Sequence, residues 1–211
     1  MFLDREDAGQ KLALEIEKSL KGAEVMLFAI PNGGVAVALP VFKRLKVPFD
    51  LVIPRKIPIP TNTEAGFGAV GPDGTIVLND ALAKSLQLTA QEIDDLARVV
   101  TTEIKRRDTS YRQTRPYPDL SGKHAVLIDD GLASGYTMIA AIRFLRTRNP
   151  EKIVVAVPVT SDQAAKLVEK EADQFIALHR DYLPLFAVAS FYKHWKDLTD
   201  EEVISLLQTL K

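Results

Sequence analysis

The sequence predicts a single α/β domain built on a central, mainly parallel sheet that is flanked by helices. Short apolar runs alternate with amphipathic segments along the chain, which is the pattern of consecutive β-α-β units. The chain has 211 residues, of which 46% are hydrophobic, enough for one substantial core and too short for two ordinary domains. We therefore expect one domain over residues 1–211, with a ligand-binding crevice at the carboxyl ends of the strands.

The first part of the chain predicts a helix followed by a β-α-β unit. Asp4 and Asp7 indicate the start of the first helix, which is expected to run to about Leu20. The unit that follows comprises a strand over 24–30, a helix over 35–45 and a strand over 49–53. Proline and glycine then interrupt the pattern, and we expect a mobile β-hairpin over 54–79 that serves as a lid of about residues 54–80.

The second part of the chain alternates strand and helix again. Two capping boxes, Thr89 with Glu92 and Thr199 with Glu202, mark the start of a long helix to about Tyr111 and the start of the last helix. Between them the pattern predicts strands over 125–128, 152–158 and 174–178 and helices over 136–148 and 161–170. Residues 179–198 are aromatic and irregular, and we expect this segment to cover the site as a hood.

Composition excludes several classes of protein. The absence of cysteine rules out disulfides and thiolate metal sites, and His124, His179 and His194 lack the spacing of metal ligands. With 27 basic and 28 acidic residues the net charge is −1, which gives no support for a nucleic-acid or membrane-surface partner. No stretch approaches the roughly 20 apolar residues of a membrane span. We therefore expect a soluble cytoplasmic protein.

The most informative segment lies between residues 124 and 138, where an apolar strand, two carboxylates and a small-residue loop lead into a helix. The loop amides and the helix N-terminus can hold a phosphate. Asp129 and Asp130 can accept hydrogen bonds from a vicinal diol such as the ribose 2′- and 3′-hydroxyls, the alternative being an exposed turn with a helix cap. The predicted 5′-phosphate loop consists of Gly131, Leu132, Ala133, Ser134, Gly135, Tyr136 and Thr137.

Residues 125–137 resemble the phosphoribosyl diphosphate signature of the type I phosphoribosyltransferases, which runs from four apolar residues through two acids to small and hydroxyl residues. Gly131 stands where that family usually carries an aliphatic residue. Residues 2–9, 31–34, 54–57 and 64–70 are similar to a little-characterised subgroup of predicted phosphoribosyltransferases. The resemblance implies the type I phosphoribosyltransferase fold and phosphoribosyl diphosphate as the donor.

A second anion site is predicted opposite the signature. Asn32, Gly33 and Gly34 follow the first strand and can present amides to pyrophosphate, with Arg55 and Lys56 placed by the resemblance in the same donor site. Asn32 stands where the family usually has arginine, which puts catalysis in doubt more than binding. The basic residues Lys105, Arg106, Arg107, Arg112 and Arg115 are either a solvated face or the source of a replacement cation.

The resemblance implies transfer of the 5-phosphoribosyl group from phosphoribosyl diphosphate to a nitrogenous acceptor, of which a nucleobase is one candidate, with release of pyrophosphate. Asp129 and Asp130 are then the catalytic residues, and Mg²⁺ arrives with the donor rather than on direct protein ligands. A homodimer is also implied. The alternative function is a non-catalytic regulatory protein that binds phosphoribosyl diphosphate or a nucleotide.

Two residues are proposed on weaker signals. Phe186 matches the position at which purine phosphoribosyltransferases stack an aromatic residue on the acceptor base, although ordinary core packing explains the same apolar stretch. Glu64 is a candidate in the lid. The sequence does not identify the acceptor.

Overall fold

The structure is a computed structural model that describes residues 1–60 and 62–210, with residues 63 and 64 described by their backbone alone. A five-stranded sheet in the order β2-β1-β6-β7-β8 forms its centre, and every strand pair in it is parallel. The strands of this sheet are β1 (Val25–Ala29), β2 (Phe49–Leu51), β6 (His124–Ile128), β7 (Lys152–Ser161) and β8 (Gln174–Asp181). A second, three-stranded sheet contains β3 (Arg55–Ile59), β4 (Asn62–Val70) and β5 (Ile76–Leu78).

Helices cover both faces of the parallel sheet. They are α1 (Arg5–Ser19), α2 (Gly33–Leu45), α3 (Asp80–Ser85), α4 (Ala90–Arg107), α5 (Tyr136–Arg146), α6 (Asp162–Val168) and α7 (Asp200–Gln208). The apolar faces of α1, α2 and α7 pack on one side, and α5 and α6 pack on the other, where the second sheet joins the core. The predicted α/β fold with a parallel central sheet is confirmed. In the described residues, no helix has both the length and the apolar composition needed to cross a membrane.

The central strands align the two predicted binding loops. Ala29 of β1 lies beside Ile128 of β6, so both strands end at the same level of the sheet. All but the first residue of each strand is buried, which explains their nearly continuous apolar sequences. The residues that follow, beginning at Ile30 and at Asp129, therefore emerge side by side at the carboxyl edge.

The segment predicted as a hairpin is a three-stranded antiparallel sheet with a core of its own. Ile57, Phe67 and Val70 are fully buried and pack against the apolar face of α4, including Val100 and Ile104. A hairpin has two strands, here β4 and β5, so the sequence analysis missed the third strand, β3, and the short helix α3, which begins after the N-cap Asn79. The predicted β-hairpin is present as β4 and β5, and β3 extends it to a three-stranded sheet that is fixed to α4 through an apolar cluster. The mobility of the segment and its role as a lid stay predictions.

Several ends of elements differ from the predicted ones. Strand β7 continues through Pro158 to Ser161, since β6 stops pairing with it at Ala156 and no longer needs an amide from residue 158. Helix α4 ends in a π-helical turn over Asp108–Arg112. Both predicted capping boxes, at Thr89 and Thr199, are present and confirmed.

Candidate functional site

A cleft of about 790 Å³ opens at the carboxyl edge of the parallel sheet, between the ends of β1 and β6 and the second sheet. Most of the predicted site residues line it, although they come from three separate stretches of the chain. Those that it brings together are Asn32, Gly33, Arg55, Lys56, Asp129, Asp130, Gly131, Leu132, Ala133, Ser134, Gly135 and Thr137. Gly34, Tyr136 and Phe186 do not line the cleft.

The predicted phosphate loop is anchored at one end and open at the other. Leu132 donates its amide to the Val159 carbonyl at 3.0 Å and accepts from the Ser161 amide at 2.9 Å, which ties the loop to β7. Gly135, at φ +83°, is the N-cap of α5 and leaves the helix without a side-chain cap. Among the described residues no group accepts the amides of residues 133–137. These free donors at a helix N-terminus are suited to a phosphate.

Tyr136 and Gly34, which do not line the cleft, are packed against neighbouring parts of the protein. Tyr136 begins α5 and packs, half-buried, against the apolar cluster of that side of the sheet. A Cβ on Gly34 would lie 2.7 Å from the Ile128 carbonyl oxygen, so the first turn of α2 approaches β6 as closely as only glycine allows. Gly34 thereby places the preceding loop against the acidic pair.

Asp129 and Asp130, the acidic pair, both line the cleft, but their carboxylates have different environments. The Asp129 carboxylate accepts the Asp130 amide at 2.8 Å, and burial together with the Asp130 charge raises the pKa of Asp129 well above its usual value. Asp130 forms an ion pair with Arg5 at 2.8 Å, which offsets part of the burial that raises the pKa of Asp130. The Tyr192 hydroxyl donates to the Asp130 carbonyl at 2.6 Å. Both carboxylates are thus costly to keep charged without a ligand.

Gly131 departs from the family signature for a steric reason. A Cβ at this position would lie 2.6 Å from a methyl group of Val188 and 2.7 Å from a methyl group of Val159. Valine is stiff about its first side-chain torsion, so these methyls cannot easily move aside. The space that an aliphatic residue would fill is taken by the hood and β7.

We expect the substitution G131A to destabilise the protein by about 1–3 kcal/mol, because the added methyl overpacks this contact. Combining it with V188A removes the Val188 methyls and leaves the Val159 methyl, so the double variant is expected to recover part of the lost stability relative to V188A alone. Urea denaturation followed by the fluorescence of Trp195, the single tryptophan, measures both stability and hood packing. If G131A lowers the free energy of unfolding as much in the V188A background as in the wild type, the steric explanation is contradicted.

The loop after β1 is held through the side chain of Asn32. The Asn32 amide nitrogen donates to the Leu198 carbonyl at 2.7 Å, while its oxygen accepts from Arg107 at 2.6 Å. The peptide bond between Pro31 and Asn32 is cis. A Cβ on Gly33 would lie 1.8 Å from a carboxylate oxygen of Asp130, so glycine is required where this loop meets the acidic pair.

The five basic residues around the end of α4 separate into different roles. Arg107 alone of the five lines the cleft. Arg106 pairs with Glu103 and Asp200 outside it, and Arg112 is buried against Asp50. Lys105 and Arg115 are exposed. The interpretation of a wholly solvated face is wrong for Arg107 and Arg112.

The hood contributes residues other than the predicted Phe186. Phe186 packs against Phe191, with ring centroids 5.3 Å apart, in an apolar cluster with Val159 and Tyr192. The hood residues that line the cleft are Val188, Trp195, Asp197 and Leu198. The acceptor role of Phe186 stays a prediction, and Trp195 is the aromatic residue that faces the site. The side chain of Glu64 lies outside what the structure describes.

Arg5 joins the hood to the acidic pair. Its guanidinium donates to the Lys196 carbonyl at 2.7 Å and lies 3.8 Å from the centre of the Trp195 ring, while it pairs with Asp130. The N-terminal segment also exchanges backbone hydrogen bonds with the hood, from Lys193 to Phe2 and from His194 to Leu3. Sequence analysis missed Arg5, because a lone arginine in a first helical turn carries no local sign of a contact 125 residues away.

No cluster of three or more His, Asp or Glu side chains that could hold a metal ion occurs in the part of the chain that the structure describes. Among the described residues, the carboxylates that line the cleft are those of Asp129, Asp130 and Asp197, and Asp130 is already paired with a guanidinium. A cation in this cleft would therefore need most of its oxygen ligands from a bound substrate.

The fold and the cleft define an α/β protein with an open cleft at the carboxyl ends of its parallel strands, where folds of this class generally bind their ligands. A family model described as the phosphoribosyl transferase domain matches residues 70–182. The chain belongs to this family.

Individual relatives agree with this membership. A Mycobacterium tuberculosis protein, provisionally named a phosphoribosyl transferase, is 37% identical over 207 residues, which cover 98% of this chain and 46% of that protein. The chain therefore spans about half the length of the curated relatives it matches first. The crystal structure of TT1426 from Thermus thermophilus has a TM-score of 0.78 at 34% identity and covers 99% of this chain and 98% of its own. A Staphylococcus aureus hypoxanthine phosphoribosyltransferase, at 13% identity and a TM-score of 0.51 over 94% of this chain and 88% of its own, shares the fold.

Proposed function

We propose that this protein transfers the 5-phosphoribosyl group from phosphoribosyl diphosphate to a nitrogenous acceptor and releases pyrophosphate. The observation that carries the proposal is the cleft, where three features meet: an uncapped helix N-terminus, two adjacent carboxylates, and a cationic wall formed by Arg55 and Lys56. These three features match, in order, a 5′-phosphate, a ribose diol and a pyrophosphate. Family membership supports the same assignment.

The proposed roles follow from the position of each group. The amides of residues 133–137 and the hydroxyls of Ser134 and Thr137 hold the 5′-phosphate, and Asp129 and Asp130 hold the ribose hydroxyls. Asn32 and Gly33, with Arg55 and Lys56, hold the pyrophosphate. Mg²⁺, bound to the donor, supplies further charge stabilisation for the leaving pyrophosphate. Holding both ends of the donor in place aligns the anomeric carbon for attack, so no covalent protein catalyst is required.

The acceptor is proposed to enter beneath the hood. Trp195 offers an aromatic surface for a flat ring, and the exposed carboxylate of Asp197 can accept hydrogen bonds from ring or amine N–H groups. An aromatic nitrogen base fits this lining better than an aliphatic amine. The homodimer and the cytoplasmic location implied above remain proposals, as does the single domain over the whole chain.

A second function, a regulator that binds phosphoribosyl diphosphate or a nucleotide without turnover, is favoured by one observation. Asn32 leaves the loop after β1 without a side-chain cation of its own. A regulator would retain the phosphate and diol contacts and lack the charge that promotes departure of pyrophosphate. Shortening the lid distinguishes the two functions, because only an enzyme has turnover to lose.

The proposal is tested by calorimetric titration of phosphoribosyl diphosphate with Mg²⁺, followed by assays of pyrophosphate release with purine and pyrimidine bases. We expect binding, quenching of the Trp195 fluorescence, and release that depends on one of the bases. Binding without release under any acceptor would support the regulator. The absence of binding would overturn both functions.

A further inference from the structure

Two arginines, Arg55 of β3 and Arg107 of α4, line the cleft together with Asn32, and their guanidinium groups are close enough for the charge of Arg107 to act on Arg55. They come from elements separated by about fifty residues, and one belongs to the second sheet while the other lies on the helix that covers it. Cations gathered in this way repel each other unless an anion lies between them.

Arg107 is held rigidly in this position. Its Nε donates to Glu103 at 2.9 Å, one terminal nitrogen donates to the Asn32 oxygen at 2.6 Å, and the other lies 3.6 Å from Asp200. Only 13% of the side chain is exposed. The guanidinium has five N–H groups, so these contacts leave donors free toward the cleft.

Arg55 has weaker neutralisation. Among the residues that the structure describes, no acceptor forms a hydrogen bond or close ion pair with its half-buried guanidinium, and the carboxylates of Glu103 and Asp200 act on it only as longer-range charges. Burial and then the positive charge of Arg107 lower the pKa of Arg55, so the cation is held at an energetic cost. An anion with several charged oxygens placed between the two arginines would remove that cost.

We propose that Arg107, carried by α4, is a pyrophosphate-binding residue that completes the cationic wall with Arg55 and supplies the charge that the loop of Asn32 lacks. Asn32 is then a positioning residue, because its oxygen holds Arg107 and its nitrogen is fixed to the hood carbonyl of Leu198. Glu103 and Asp200, which do not line the cleft, contact the same guanidinium and orient it. This inference rests on the proposed function, since it names a further residue of the same site.

The test is a calorimetric titration of the protein with inorganic pyrophosphate in the presence of Mg²⁺. A separate titration measures the binding of ribose 5-phosphate. We expect R107Q to weaken pyrophosphate binding by about 10- to 100-fold and to leave ribose 5-phosphate binding within about twofold of the wild type. R107K, which retains a point charge and loses the fork of donors, should fall between the two.

Arg106 provides a matched control on the same helix. Its guanidinium pairs with Glu103 and Asp200 but does not line the cleft, so R106Q removes one positive charge without removing the proposed contact. We expect R106Q to change pyrophosphate affinity by less than about threefold at 0.15 M salt, where more distant charges are screened. An equal loss in R106Q and R107Q would mean a general field effect and would overturn the inference.

The outcomes separate this inference from the proposed function. If the wild type binds neither pyrophosphate nor phosphoribosyl diphosphate, the proposed function fails. If the wild type binds both and R107Q, with an unchanged melting temperature, binds pyrophosphate equally well, the role of Arg107 fails while the function stands. R107K keeps the test decisive should R107Q not fold.

Discussion

Replacing Asp129 by asparagine is expected to weaken phosphoribosyl diphosphate binding and, at the same time, to stabilise the ligand-free protein at neutral pH. A hydrogen bond from a ribose hydroxyl to a carboxylate contributes about 1.5–3 kcal/mol, so the proposed loss of affinity is about 10- to 100-fold. Asparagine keeps the size of the side chain and can still accept the Asp130 amide that Asp129 accepts now. Calorimetric titration of the donor measures this loss.

The gain in stability follows from the pKa of Asp129. Burial and the neighbouring Asp130 raise this pKa in the folded protein, so the unfolded chain ionises first as the pH increases. The wild type therefore loses stability as the pH rises above the ordinary carboxyl value of about 3.9, until the folded carboxyl also ionises. D129N has no such loss, and we expect it to be more stable by about 1–3 kcal/mol at pH 7, with the difference vanishing near pH 3.

D130N is the matched comparison, since the two carboxyls are adjacent but only Asp130 has a cationic partner. The Arg5 ion pair offsets part of the cost of burying Asp130, so D130N should gain less stability than D129N. Chemical denaturation of both variants between pH 3 and pH 8 provides the measurement. A D129N protein that is less stable than the wild type at pH 7 would contradict this interpretation of the acidic pair.

What could be predicted from the sequence depended on whether the signal was local. The segment around Asp129 contains its own strand, acids, loop and helix start, and the structure places nearly all of it as expected. The caps at Asp4, Thr89 and Thr199 were predictable for the same reason, because each depends on residues three positions apart.

Contacts between distant elements could not be predicted in this way. Arg107 looked like one of several basic residues at a helix end, and only the packing of α4 on the second sheet directs it toward Asn32. Similarly, Trp195 faces the cleft because Arg5 and the hood backbone hold it there, while Phe186 is drawn into an apolar cluster with Phe191. These choices depend on tertiary packing rather than on residue spacing.

A third variant concerns the support of the site rather than the site itself. Arg112 lies in the π-helical turn that follows α4, only 1% of its side chain is exposed, and it donates two hydrogen bonds of 2.9 Å to Asp50. It also pairs with Asp108 at 2.7 Å and lies 3.5 Å from the centre of the Tyr117 ring. Asp50 belongs to the edge strand β2, so this pair joins the turn to the sheet.

We expect R112M to lower the free energy of unfolding by about 3–5 kcal/mol, because methionine fills the space but leaves the Asp50 carboxylate buried without its main partner. Combining R112M with D50N removes the unpaired charge, so the double variant should recover part of the stability. Urea denaturation of the three proteins measures the coupling between the two residues.

Arg115 shows that burial, rather than charge alone, sets the size of this effect. It approaches the same Asp50 carboxylate at 3.5 Å, yet 64% of its side chain is exposed. An exposed ion pair contributes about 0–1 kcal/mol, so R115M should be nearly neutral. The hydroxyl of the neighbouring Tyr111 donates to Asp200 at 2.5 Å and lies 3.3 Å from the Asn32 side-chain oxygen. Loosening the turn in R112M should therefore also weaken pyrophosphate binding, whereas R115M should not. Equal effects of the two substitutions on stability would mean that the Arg112–Asp50 pair does not hold the turn against the sheet.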